Sequence, residues 1–88
     1  MDNDSKEIAF LGVDKNGVPF IREPIKITLS SYKNKKYLDV RKFYTDASGE
    51  WRPTQKGITL NGDIFEQFMD ILTKHKDEIQ DWVKDNKE

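Results

Sequence analysis

An α+β fold, strands first and one long helix last, is predicted by three observations on this 88-residue chain. Ile25–Tyr32 and Lys36–Tyr44 alternate apolar and polar residues with the period of two that a half-buried strand requires. After Asn61 the apolar residues recur instead at helical spacing. The shorter apolar runs before and between these segments are punctuated by Asn-Gly, Ser-Gly and proline, which mark turns. The length holds one domain, and a chain of this size folding alone buries only about 60–65% of its unfolded surface, so pairing with a second copy would add stability.

Residues 1–7 are polar and charged and are expected to be disordered. Ile8–Val13 and Val18–Arg22 read as short strands, joined through Asn16-Gly17 by a type I′ hairpin turn. In the next strand Ile25, Ile27 and Leu29 belong on a core, while Lys26, Thr28, Ser30 and Tyr32 point the other way. Lys33-Asn34-Lys35-Lys36 then turns the chain. Along Lys36–Tyr44, Leu38 and Val40 take one face and Tyr37, Asp39, Arg41 and Phe43 the other. Tyr44 falls with Leu38 and Val40, so alternation favours Phe43 as the exposed ring unless a bulge intervenes. Thr45–Glu50 is a turn. Trp51–Arg52 and Ile58–Leu60 read as two short strands around a loop at Pro53–Gly57, because proline cannot donate to a ladder. Trp51, beside the turn, suits covering a core edge as well as stacking on a base.

Asn61 caps the helix, with Asp63 in the first turn where the dipole favours a negative charge. Its apolar arc spans roughly 160°, wider than the ~100° that one sheet needs. From Gly62 to Asp85 the helix would run on the order of 36 Å, longer than a small domain. Its far half should therefore overhang its own sheet and meet the helix of a second copy, through Phe68, Leu72, His75, Ile79 and Trp82. The expected layout is one domain over 8–85, with the sheet at 8–60, the helix at 62–85 and a tail at 86–88.

Catalytic chemistry has little to work with. Cysteine is absent and His75 is the single histidine, which removes disulfides, thiolate metal sites, cysteine nucleophiles and paired-histidine metal motifs. No phosphate-cradling glycine loop is present, and Asp14-Lys15-Asn16-Gly17 lacks the spacing of a calcium loop. No enzyme, metal, cofactor or small-molecule substrate is expected. No apolar run approaches the ~18 residues of a membrane span and the N-terminus has no signal-peptide character, so an intracellular protein is expected.

Charge, by contrast, is sharply segregated. Arg22–Lys56 holds nine Lys and Arg against four Asp and Glu, whereas residues 1–21 hold two against four and Gly57–Glu88 four against eight. The basic segment is strand-borne and interleaved with Tyr32, Tyr37, Phe43, Tyr44 and Trp51. Cations that follow phosphates and rings that stack on bases are the footprint of a single-stranded nucleic acid surface. Binding of RNA instead would differ mainly in whether a 2′-hydroxyl is read, on which the sequence is silent.

The run from Tyr32 to Asn61 also resembles the core of the positive cofactor four family, a transcriptional coactivator family of eukaryotes with bacterial and viral relatives. The shared pieces are Tyr32, Lys33 and Lys35 at a lysine-rich turn, Leu38-Asp39-Val40-Arg41, Phe43-Tyr44, Asp46 with Gly49-Glu50, Arg52-Pro53, and Lys56–Asn61 leading into the helix. The resemblance covers roughly Phe20–Val83. It implies a curved four-stranded antiparallel sheet, with an extra N-terminal strand to be accommodated, then a kinked helix through which two copies form a saddle. It implies single-stranded DNA held on the β-surfaces, with Tyr32 and Tyr44 stacking and Lys35, Arg41, Arg52 and Lys56 on the backbone. Tyr44 thus rests on the resemblance, against alternation. There are three departures from the pattern: Tyr44 where tryptophan is common, Gln55 where a second cation is frequent, and Pro24-Ile25 in place of a basic segment. The serine-rich acidic tail of eukaryotic members is missing, which points to the cytoplasm of a bacterium or of a virus-infected bacterial cell rather than to a nucleus. The expected function is a sequence-nonspecific homodimer that holds exposed DNA strands in transcription, replication, recombination or repair. The alternative is an adaptor that docks on polymerase or on replication and recombination proteins.

Overall fold

The computed structural model describes residues 5–85, so the expectations for residues 1–4 and for the 86–88 tail lie outside it. Four strands form one curved antiparallel sheet in chain order: β1 (Ser5–Leu11), β2 (Ile25–Tyr32), β3 (Lys35–Thr45) and β4 (Trp51–Leu60). Two helices follow, α1 (Gly62–Lys74) and α2 (Lys76–Lys84). No helix among the described residues is long and apolar enough to cross a membrane.

β2 and β3 match their alternation. They pair without a shift from Ile25 opposite Lys42 to Tyr32 opposite Lys35. The turn between them is only two residues, Lys33 and Asn34, both at positive φ (53° and 66°). That is the type I′ geometry that suits the twist of a hairpin. It belongs here and not at Asn16-Gly17, and β3 starts at Lys35 rather than Lys36.

The N-terminal expectations need three corrections. Residues 5–7 are not disordered but open β1. Val18–Arg22 is not a strand: apart from a single bridge from Val13 to Pro19, the segment runs as bends. β1 instead pairs with β2, Leu11 opposite Ile25 and Lys6 opposite Leu29, with an irregularity between Glu7 and Ala9. The turn at Asp14 is closed by the Gly17 amide donating to the Asp14 carbonyl (2.9 Å), while Asp14 Oδ1 accepts from the amides of Asn16 and Val18. The turn between β3 and β4 repeats this pattern: Gly49 donates to the Asp46 carbonyl, and Asp46 Oδ1 accepts from Ser48 and Glu50. Both place a glycine at φ +82°, a left-handed position that glycine enters without a Cβ clash.

β4 is one strand, not two around a loop. Proline is tolerated because β4 is an edge strand, where a missing donor breaks no ladder on the open side. The extra residues form a bulge: Arg41 faces Gly57 and Phe43 faces Pro53, leaving Thr54-Gln55-Lys56 across from Lys42. The Thr54 hydroxyl seals it, donating to the Lys42 carbonyl (2.8 Å) and accepting from the Lys56 amide (3.0 Å). Gly57 closes the bulge at a distance no side chain permits, since a Cβ there would sit 2.7 Å from the Val40 carbonyl oxygen and 2.8 Å from Arg41 Cα. Gly57→Ala is expected to cost about 1–3 kcal/mol through overpacking against backbone. A thermal or urea melt measures it, and an unchanged midpoint would mean that the strands separate freely at that point.

Asn61 caps α1 as its sequence suggests, its side chain accepting from the Ile64 amide (2.9 Å). The single helix is interrupted at His75, whose φ/ψ of −111°/21° leaves helical space, so the kink divides it into α1 and α2. α1 touches β3 and β4; α2 touches α1 but no strand. Buried side chains are scarce: among the described residues only Pro24 and Leu60 are buried.

Candidate nucleic-acid interface

Directly opposed residues share a face of the sheet, so the pairing divides the candidate residues between two faces. Ile25, Ile27, Leu29, Leu38, Val40, Ile58 and Leu60 lie on the side where α1 packs. A concavity of about 430 Å³ runs there between Leu29, Leu38, Leu60 and Phe65. On the other side lie Lys26, Thr28, Ser30 and Tyr32, with Lys35, Tyr37, Asp39 and Arg41 opposite them.

Tyr32 and Lys35 face each other where the type I′ hairpin begins, Tyr32 being 53% exposed with Lys33 Nζ 5.3 Å from its ring centre. Lys33, Lys35 and Lys36 are all exposed beside it. This end of the sheet combines a free ring with three cations.

Tyr44 and Arg52 face each other at the far end of β3, roughly 30 Å from Lys35 along the strand. By parity Tyr44 does lie on the helix side with Leu38 and Val40. Tyr44 is nevertheless left uncovered at 42% exposed, roughly 20 Å along β3 from Leu38, which lines the concavity with Phe65 of α1. Phe43, which alternation favoured as the exposed ring, is the covered one. Lys26 Nζ lies 4.7 Å from its ring centre and 5.5 Å from that of Phe10, and Phe10 meets Trp51 edge-on at 5.2 Å. Trp51 thus closes an aromatic cluster on the face away from the helix.

Three of the four candidate backbone-contacting cations hold carboxylates of their own chain. Arg41 makes two bonds to Asp39 (3.0 and 3.1 Å) and a third to the Thr54 carbonyl (3.0 Å). Arg52 donates to Asp46 (2.8 Å) and lies 3.4 Å from Glu50. Lys56 Nζ is 3.4 Å from Glu23. Burial pushes the Asp39 carboxyl up, but hydrogen bonds from Arg41 and Thr59 and the charge of Arg41 outweigh it and hold the group below its ordinary value. The same bond to Asp39 raises Arg41. Asp46 is held down by its bond from Arg52 and by the backbone amides of its turn, Glu50 first. A carboxylate depressed in this way adds stability that is complete above its unfolded pKa and is lost as pH falls through the folded one. Both pairs therefore persist at neutral pH and open only in acid.

The candidate interface residues of the helices lie along one uncovered stripe. Phe68, Ile79 and Trp82 are exposed, Trp82 at 79%, and Leu72 is half-buried. His75 Nδ1 lies 3.0 Å from Glu78 Oε1 at the kink. Among the described residues no three His, Cys, Asp or Glu side chains converge as a metal site would require.

Comparison with known proteins adds two findings. The family model described as Transcriptional Coactivator p15 (PC4) matches residues 21–71. A solved structure of a bacteriophage T5 homolog of the eukaryotic transcription coactivator PC4, implicated in recombination-dependent DNA replication, is similar over 97% of this chain and 96% of its own, at 22% identity and a TM-score of 0.49.

Proposed function

The chain belongs to the Transcriptional Coactivator p15 (PC4) family, whose model matches more than half of it, and on that premise we propose that it is a non-enzymatic homodimer that binds single-stranded DNA without regard to base sequence. The observation that carries this reading is the pairing of Tyr44 with Arg52 on the part of the sheet that α1 leaves open. A ring and a guanidinium side by side on rigid strands offer one nucleotide both a stacking face and a phosphate partner. Tyr32 with Lys35 supplies the same combination at the other end of β3, on the opposite face, so a bound strand would pass over the edge of the sheet to meet both. Arg41 and Lys56 lie between these ends, where a phosphate would compete with Asp39 and Glu23 for them. Bound in this way, exposed strands in transcription, replication, recombination or repair would be kept from re-pairing.

Titrating labelled oligo-dT and a matching duplex against the protein tests the proposal. Oligo-dT should bind more tightly, since paired bases cannot offer their faces to a ring. Tyr32→Ala and Tyr44→Ala should each weaken oligo-dT binding about five- to a hundredfold with little change in melting temperature. Phe43→Ala should instead lower the melting temperature, because it empties the cluster under Lys26. If Phe43→Ala abolishes binding in a folded protein while Tyr44→Ala does nothing, the assignment of Tyr44 is wrong. Equal affinity for duplex and single strand, insensitive to both tyrosines, would favour the adaptor reading.

A further inference from the structure

Phe20 is the most exposed of the five phenylalanines at 71%, and it stands just outside the residues that the family model matches. Its loop is firmly held. The Phe20 amide donates to the Gly12 carbonyl (2.9 Å), Val13 bridges Pro19, and Pro24 is fully buried with its carbonyl accepting from Phe43 (2.9 Å). A ring fixed in water by a rigid backbone gains nothing for the fold. Its loop carries a cation of its own: Arg22 is exposed with no ion pair among the described residues, and Glu23 joins the loop to Lys56. Three residues of chain reach at most roughly 11 Å, so Phe20 stands within that distance of the Glu23 backbone and hence near the Lys56 pair.

We infer that the Val18–Glu23 loop is a further nucleotide site, in which Phe20 stacks on a base and Arg22 contacts an adjoining phosphate, extending the bound strand past Lys56. This inference rests on the single-stranded DNA reading above. Nucleic acid is the occupant that the charges select: an apolar partner would leave Arg22 unmatched, whereas a phosphate matches it and a base covers the ring.

The test compares Phe20→Ala, Phe20→Leu, Phe20→Trp and Arg22→Ala with the unaltered protein and with Tyr44→Ala, using oligo-dT at several lengths and salt concentrations. Phe20→Ala and Phe20→Leu should each weaken binding to long oligo-dT about five- to a hundredfold, and Phe20→Trp should retain it, because stacking needs a π-face and not merely apolar bulk. Arg22→Ala should flatten the plot of log K against log salt by about 0.7. Oligonucleotides too short to span both Tyr44 and the loop should lose the Phe20 effect. Phe20 is exposed, so these variants should melt and sediment like the parent. Unchanged affinity in Phe20→Ala alongside a weakened Tyr44→Ala overturns this inference alone. A change of oligomeric state in Phe20→Ala also overturns it, making the loop a self-association surface. If the unaltered protein does not bind oligo-dT, the reading beneath the inference fails with it.

Discussion

Trp82→Ala should turn the proposed dimer into a monomer that keeps its sheet. The separation of the two effects follows from where α2 stands. It touches α1 and no strand, and Trp82 is 79% exposed on the single chain, so removing the indole takes nothing from the intramolecular fold. If Trp82 is packed between copies, its truncation costs about 3–5 kcal/mol, or roughly two to three and a half orders of magnitude in the dimer dissociation constant. A two-fold interface uses the same patch from both copies, so each dimer loses two rings and the change doubles, to about four to seven orders of magnitude. The chain also has reason to pair. With only Pro24 and Leu60 buried among the described residues, Leu29 and Ile58 on the sheet and Phe65, Phe68, Met69, Ile71 and Ile79 on the helices stay in contact with water. Sedimentation equilibrium together with a thermal melt decides the matter. An unchanged dimer in Trp82→Ala would move the interface away from α2.

The sequence was most legible where one local rule governs a segment. Period-two alternation fixed β2 to its ends, and the capping asparagine fixed the start of α1. It misled where pairing partners are distant. Val18–Arg22 is as apolar as a strand, but Pro19 and Pro24 remove amide donors, and the ladder it would have joined is taken by β2. Pro53 suggested a break because the edge position of β4, where a missing donor is harmless, appears only once the whole sheet is assembled. Tyr44 is the most instructive residue. Alternation assigned its face correctly, with Leu38 and Val40, but parity says nothing about whether that face is covered. The helix begins at the Leu60 end of the sheet and leaves the other end open. Phe43, on the opposite face, is sheltered by Lys26, which also lies over Phe10 of the Phe10–Trp51 pair, contacts between residues far apart in the chain. The intramolecular carboxylate partners of Arg41, Arg52 and Lys56 were likewise invisible. Two depend on turn and strand geometry, and the third on a loop 33 residues away.

Those carboxylates shape the expected response to salt. Cations that neutralise phosphates release counterions condensed on the nucleic acid, and log K falls by about 0.7 per phosphate for each unit of log salt on single strands. Four contacts on each chain, from Lys35, Arg41, Arg52 and Lys56, give a slope near −2.8, or about a 600-fold loss of affinity over a tenfold rise in salt. The released ions come from the DNA, so pairing with Glu23, Asp39 or Asp46 lowers the affinity without altering the slope. Arg52→Ala should therefore flatten the slope by about 0.7 at any base sequence. Asp46→Asn keeps the amide acceptor that closes its turn but removes the charge that holds Arg52, so it should raise affinity at every salt concentration and leave the slope in place. Arg41 is the discriminating position. Its three internal bonds leave it less free than Arg52, so a total slope near −2.1, unchanged by Arg41→Ala, would assign it to bracing the β4 bulge through Thr54 rather than to phosphate. A slope near zero for the unaltered protein would exclude phosphate recognition by this surface altogether.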